Sequence, residues 1–255
     1  MTNEKYAIAN WKMNLQSEAE TKELAEKIIK GLKKINYQNK VNVILMPSYP
    51  WIKVIKDLQQ KSPNLFAIGA QNMFWEKSGA YTGEISSLML KNLGCQYVFI
   101  GHSERIIYLK ETNEMLNKKL LLALKSEITP ILILHPEEKN IENFKKDLID
   151  ILQGISQEQI EKIIFTYEPI EAISTQGGKI PSQTQLFKMN NLIRKIITDY
   201  YHIENPVQKI KLIYGGSVNS TNIRNLTIDV SMEGAIVGAK SLDAQEFVAI
   251  IKQLI

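Results

Sequence analysis

Short apolar runs alternate along this chain with longer segments in which apolar residues recur every three or four positions. The runs fall at residues 6–10, 41–46, 65–70, 95–100, 129–134, 162–167, 210–214 and 235–238. Each is too short for a helix and almost continuously apolar, as strands buried on both faces are. Between them, Leu24, Ala25, Ile28, Ile29 and Leu32 lie on one helical face, as do Ile141, Phe144, Leu148, Ile151 and Leu152, and again Phe247, Ile250, Ile251 and Leu254. Ser17 and Glu20 have the spacing of a capping box ahead of the first stripe. Further helices are predicted over 51–60 and 86–93, as one helix running from about 103 to 125, and from about Pro181, a favourable first-turn residue. No linker or composition shift interrupts the eight strand–helix units. The predicted fold class is α/β, one domain over 1–255 in which eight parallel strands close into a (β/α)8 barrel with outer helices. No glycine fingerprint follows the first strand, which disfavours a dinucleotide-binding sheet.

A closed parallel barrel puts every strand end on one rim, where chemistry is done. The residues that follow the strands therefore converge. They are Asn10 and Lys12 after the first, Gln71 after the third, His102 after the fourth and Glu168 after the sixth. Gly215-Gly216-Ser217 follow the seventh, and Gly238-Ala239-Lys240 the eighth. Singly, each has a plain structural reading: a solvated lysine, a capping histidine, a glutamate closing a loop. Together they supply a base, a proton shuttle, a cation and a glycine-walled cradle for an anion.

Composition narrows the classes. The 255 residues carry a net charge of +4, with lysines spread among glutamates along the helices, so no nucleic-acid partner is expected. Three histidines and the scattered carboxylates show no ligand spacing, and neither a metal nor an organic cofactor is expected. The single cysteine, Cys95, reads as a small core residue and favours a reducing compartment. The first residues lack the apolar core of a signal peptide, and no run of about eighteen apolar residues occurs, so a cytoplasmic protein without a membrane partner is expected.

Several motifs, in order and spread over the whole chain, resemble one family. They are Asn10-Trp11-Lys12-Met13-Asn14, the loop Gly69-Ala70-Gln71-Asn72 through Gly79-Ala80-Tyr81-Thr82-Gly83-Glu84-Ile85-Ser86, Gly101-His102-Ser103-Glu104-Arg105, Tyr167-Glu168-Pro169 and Tyr214-Gly215-Gly216-Ser217-Val218. The sequence is similar to the triosephosphate isomerases, whose TIM barrel matches the fold read above. The resemblance implies interconversion of dihydroxyacetone phosphate and D-glyceraldehyde 3-phosphate through an enediol. In that reading Glu168 is the base, neutral His102 the shuttle, Lys12 the oxyanion-stabilising cation, Asn10 a donor to a substrate oxygen, and Glu104 the support behind Lys12. Backbone N–H groups of Ser174, Gly216, Ser217, Gly238 and Ala239 would hold the phosphate. A lid made of Pro169, Ile170, Glu171, Ala172, Ile173, Ser174, Thr175 and Gln176 would exclude water. The resemblance also implies a homodimer, with Thr82 reaching the partner near Met13 and Asn14.

The departures from the family pattern are concentrated around the lid. Glu171 stands where the family usually has Trp, and Pro136 where it has the glutamate that this Trp contacts. His135 replaces a usual glycine. Ser174 and Gln176 replace lid glycines, Ala239-Lys240 replaces Gly-Ala, Ile106 replaces a second arginine and Ile133 a cysteine. These changes keep two alternatives open: an isomerase of a four-carbon sugar phosphate, and a non-catalytic phosphate-binding barrel.

Overall fold

A computed structural model describes residues 4–169 and 180–255. The strands are β1 Lys5–Asn10, β2 Val41–Met46, β3 Ala67–Ala70, β4 Tyr97–Ile100, β5 Thr129–Leu134, β6 Ile164–Tyr167, β7 Lys211–Tyr214 and β8 Gly234–Val237. Each pairs in parallel with the next, and β8 pairs with β1, which closes the barrel. Among the described residues the helices are α1 Glu18–Leu32, α2 Ile52–Lys61, α3 Ser87–Asn92, α4 Ser103–Leu109, α5 Asn113–Lys125, α6 Ile141–Ile151, α7 Gln157–Ile160, α8 Gln183–Tyr201, α9 Pro206–Lys209, α10 Ile223–Leu226 and α11 Ala244–Leu254. None is long and apolar enough to cross a membrane.

Alternate residues along each strand point to opposite faces, and here the two faces feed two separate cores. Tyr6, Ile8, Ile44, Met46, Phe99, Ile131, Ile133, Ile164, Ile213 and Ile236 fill the barrel interior. The intervening residues, such as Ala7, Ala9, Leu45, Leu132 and Phe165, pack outward against the helices. Extending the inward parity past each strand end reaches Asn10 on β1, Gly101 after β4, His135 after β5, Glu168 after β6, Gly215 after β7 and Gly238 after β8. The rim residues are thus the top layer of the barrel interior.

Several predicted elements differ in detail. The segment expected as one helix after His102 is two, because Lys110 turns left-handed (φ 56°) and the Thr112 hydroxyl caps α5 by accepting from the Met115 N–H. β3 and β4 begin two residues late: Leu65, Phe66, Cys95 and Gln96 precede the paired segments, although Phe66 and Cys95 are buried. Phe66 and Cys95 pack their side chains without a ladder partner, whereas the Gln96 backbone still bonds to Ile68 and Thr129. At α1, Ser17 accepts from the Glu20 N–H, but Glu20 Oε2 accepts from Gln16 rather than Ser17, so half of the expected capping box forms. Pro181 lies before α8, whose cap is Ser182 in a reciprocal box with Gln185.

At the opposite, N-terminal end, the Arg194 guanidinium of α8 meets both Glu233 carboxylate oxygens at 2.9 and 3.0 Å, and Glu233 Oε2 also accepts from the Leu212 N–H at 2.7 Å. Burial pushes the Glu233 carboxyl upward, while Arg194 and the Leu212 N–H draw it back. This pair ties α8 to the entry of β7 and β8, remote from the rim.

Candidate active site

Lys12 leaves β1 in the left-handed region (φ 51°), an unusual conformation for a residue with a side chain. Its backbone is fixed on both sides. The Lys12 N–H donates to Asn10 Oδ1 at 3.0 Å, and its carbonyl accepts from Ser48 Oγ at 2.7 Å and Gln71 Nε2 at 2.9 Å. Bonds from two neighbouring loops hold the conformation in place. The ammonium then meets Glu104 Oε1 at 2.6 Å.

His102 reaches the site through the turn at Gly101, whose φ of +79° suits glycine; a Cβ there would come within 3.1 Å of the Ile133 carbonyl. His102 caps α4, its Nδ1 accepting from the Glu104 N–H at 3.3 Å. That bond commits the Nδ1 lone pair, so a neutral ring carries its proton on Nε2. Burial holds the imidazole below its ordinary range; Glu168 and Glu104 oppose this, and Lys12 and His135 reinforce it. Nε2 lies 3.2 Å from Asn10 Nδ2 and 3.8 Å from Glu168 Oε1. Both nitrogens are donors in this state and neither can accept from the other, so both protons remain available to an oxygen placed between them.

Glu168 is buried at the end of β6, its N–H donating to the Leu134 carbonyl at 2.9 Å. Its Oε2 accepts from the Ser103 N–H over a long 3.4 Å. On the β7 side a Cβ on Gly215 would approach Thr166 Cγ2 to 2.8 Å and Glu168 Cβ to 3.0 Å. Glycine is therefore what lets the β7 exit pass beside the carboxylate. On the β5 side stands His135, with Nε2 2.8 Å from the Gly101 carbonyl and Nδ1 3.2 Å from the Glu168 carbonyl.

These groups open on a cavity of about 180 Å³ lined by Asn10, Lys12, His102, Glu168, Gly216, Ser217, Gly238 and Ala239, with Lys240 at its edge. Gly216, Ser217, Gly238 and Ala239 bring the loops after β7 and β8 to this lining. Asn219 and Asn222 also line it, and the sequence reading missed them. Asn219 Oδ1 accepts from the N–H groups of Thr221 and Asn222, an Asx-type turn that fixes the loop. The only advance signal was that pair of asparagines after the glycines. α10 begins beyond this turn, at Ile223, so the cradle near Ser217 is loop rather than helix terminus. Pro169 is buried beside Glu168. The rest of the expected lid, Ile170, Glu171, Ala172, Ile173, Ser174, Thr175 and Gln176, lies outside the described residues.

Thr82, Met13 and Asn14 are all exposed, Met13 by 84%. A larger hollow of about 890 Å³ opens at the N-terminal end of the barrel, lined by residues such as Glu4, Asn42, Leu65 and Gln96. Its size exceeds that of the rim cavity, but it gathers no base, shuttle and cation. Among the described residues no three His, Cys, Asp or Glu side chains are grouped to hold a metal ion.

Comparison with known proteins agrees with this geometry. Residues 5–254 match the family model for triosephosphate isomerase. The triosephosphate isomerase of Dictyoglomus turgidum is 41% identical over 256 residues, covering 97% of this chain and 98% of that protein. Those of Dictyoglomus thermophilum and Clostridium botulinum are 42% and 39% identical, over 97% and 95% of this chain and 98% and 96% of theirs. The chain therefore belongs to the triosephosphate isomerase family.

Proposed function

We propose that this protein interconverts dihydroxyacetone phosphate and D-glyceraldehyde 3-phosphate, an isomerisation of glycolysis and gluconeogenesis, without a metal or organic cofactor. The observation that carries the proposal is the placement of the Glu168 carboxylate 3.8 Å from His102 Nε2, with Lys12 and Asn10 lining the same cavity. In this mechanism Glu168 takes a proton from the carbon beside the carbonyl. The oxygen that gains charge meets the Lys12 ammonium and the protons of His102 Nε2 and Asn10, donors set in place before the reaction. His102 gives its Nε2 proton to that oxygen, forming the enediol, and recovers a proton from the other, leaving an enediolate with its charge moved to the second oxygen. Glu168 then returns its proton to the neighbouring carbon. A neutral histidine in this role and a loop that excludes water are established for the family. Backbone N–H groups of Gly216, Ser217, Gly238 and Ala239, with Ser174 from the lid, hold the phosphate, and Lys240 adds charge at the rim.

The reading extends to a homodimer. Its support is a set of exposed side chains on the β1 and β3 loops and α3, among them Met13, Tyr81, Thr82, Leu88 and Met89. A cytoplasmic setting fits the one buried, free Cys95.

The test is turnover of glyceraldehyde 3-phosphate by the wild type and by Glu168→Gln, with erythrulose phosphate in parallel. Loss of the base is expected to reduce triose turnover by about 10²–10⁴-fold. Full turnover in Glu168→Gln overturns the mechanism. Preference for the tetrose phosphate replaces the substrate, and no turnover of either leaves a phosphate-binding barrel.

A further inference from the structure

Among the described residues, His135 is the one titratable side chain in the top layer of the barrel interior to which the mechanism above gives no role. It stands after β5 at inward parity, and the register that sets Leu134 opposite Tyr167 sets it beside Glu168. Its Nε2 lies 2.8 Å from the Gly101 carbonyl, a separation that calls for a proton between the two atoms. Nδ1 then faces two oxygens of Glu168, the carbonyl at 3.2 Å and carboxylate Oε2 at 3.5 Å. A singly protonated ring has only a lone pair to offer there. A doubly protonated ring donates on both sides. The Oε2 atom in question is the one that also receives the long bond from Ser103, while Oε1 is the oxygen turned toward His102.

We propose that His135 is a positioning residue for Glu168. When charged, it clamps the carboxylate against the β4 exit through Nδ1 and the Ser103 N–H. When neutral, its lone pair repels the same oxygen and releases the carboxylate toward the substrate. The proposal rests on Glu168 being the base. The titratable groups facing the ring are Glu168, at the end of β6, and His102, at the end of β4, which itself experiences the charge of His135. Its partners are the backbone of β4's exit and the whole of Glu168, so one side chain couples the segment carrying the shuttle to the residue carrying the base.

The sign follows from the geometry. Acid, by charging the ring, closes the clamp, and alkali opens it. The experiment compares kcat/KM of the wild type with that of His135→Gln, which can still donate to the Gly101 carbonyl but never carries charge, from pH 5.5 to 8. Ionisation of the substrate phosphate affects both enzymes alike and cancels in their ratio. The ratio of wild type to variant is expected to rise with pH by about threefold to tenfold, the weight of one close, half-shielded charge contact. In a Glu168→Gln background the same ratio is expected to be flat, because the carboxylate that His135 grips is gone. A flat or falling ratio in the Glu168 enzyme overturns the proposal, since loss of a merely structural contact lowers activity equally at every pH. His135→Asn, read beside it, must give the same pH trend; a different trend assigns the effect to packing and overturns the proposal too. If the wild type turns over triose phosphate and Glu168→Gln does not, only the clamp is at stake. Full activity in Glu168→Gln would instead remove the base on which it rests.

Discussion

Replacing Gly215 by alanine tests whether the wall beside the carboxylate holds it in place. The added Cβ would sit 2.8 Å from Thr166 Cγ2 and 3.0 Å from Glu168 Cβ, with the Glu168 Cα at 3.4 Å. Ordinary contacts between carbon atoms are about 3.5–4.0 Å, so something must move by roughly half an ångström. Thr166 is fully buried in the barrel and has little room to retreat. Glu168 borders the cavity and takes most of the displacement. Catalytic groups tolerate errors of only about 0.5 Å, and a 1 Å misplacement costs roughly a hundredfold. The expectation is a fall in kcat of about tenfold, with a smaller change in KM because the phosphate contacts lie further along the loop. Overpacking should also cost about 1–3 kcal/mol of stability, seen as a melting midpoint lower by about 2–4 °C for each kcal/mol. The assay couples dihydroxyacetone phosphate formation to NADH oxidation, with thermal unfolding followed by circular dichroism. A kcat within twofold of wild type would refute the claim that this wall positions Glu168. An unchanged melting midpoint as well would show that the contact is not tight in solution.

Two further expectations concern stability. Burial depresses the His102 imidazole in the folded state, so the unfolded chain takes up that proton first as pH falls. The associated stability is therefore present above about pH 6.5 and is lost as the pH drops from there toward the folded-state value. His102→Gln should flatten the dependence of the melting midpoint on pH between 5 and 7, and an equally steep dependence in the variant would contradict the assignment. Arg194→Met leaves the Glu233 carboxylate buried without its counter-charge, a change worth about 3–5 kcal/mol. Urea unfolding should show a loss of that order, and a loss below about 1 kcal/mol would mean that the strut carries little of the barrel's stability.

The rim residues were legible because strand ends in a parallel barrel must converge, and apolar runs mark those ends well. Asn10, Lys12, His102 and Glu168 could each be placed from the sequence, and all four line one cavity. What composition and periodicity could not give was how far hydrogen-bonded pairing extends into an apolar run. Leu65, Phe66 and Cys95 look like strand residues because they pack apolar side chains, and packing does not require a ladder partner. The break between α4 and α5 was also hidden, since Lys110 adopts a left-handed turn without glycine, and the Thr112 cap lies within a helix-like pattern. His135 was visible only as a departure from the family pattern. Its contact with Glu168 becomes readable once Ile131 and Ile133 are known to point inward, because the next residue of that parity is His135.

The alternation of side chains also sets what the rim lacks. The layers below it are filled by tyrosine, isoleucine, methionine and phenylalanine, as a barrel interior must be. In the top layer β1, β5 and β6 contribute Asn10, His135 and Glu168, while β4, β7 and β8 contribute Gly101, Gly215 and Gly238. On the side of β7 and β8 the cavity takes the volume of the side chains that these two glycines do not supply. A ligand seated there completes the stacking of the barrel, with its reacting carbons on the side of the three large residues and its anionic end on the side of the two missing ones. Orientation is then a matter of filling a lopsided layer, and a molecule entering the wrong way round would set its phosphate against Glu168 and leave the glycine wall empty.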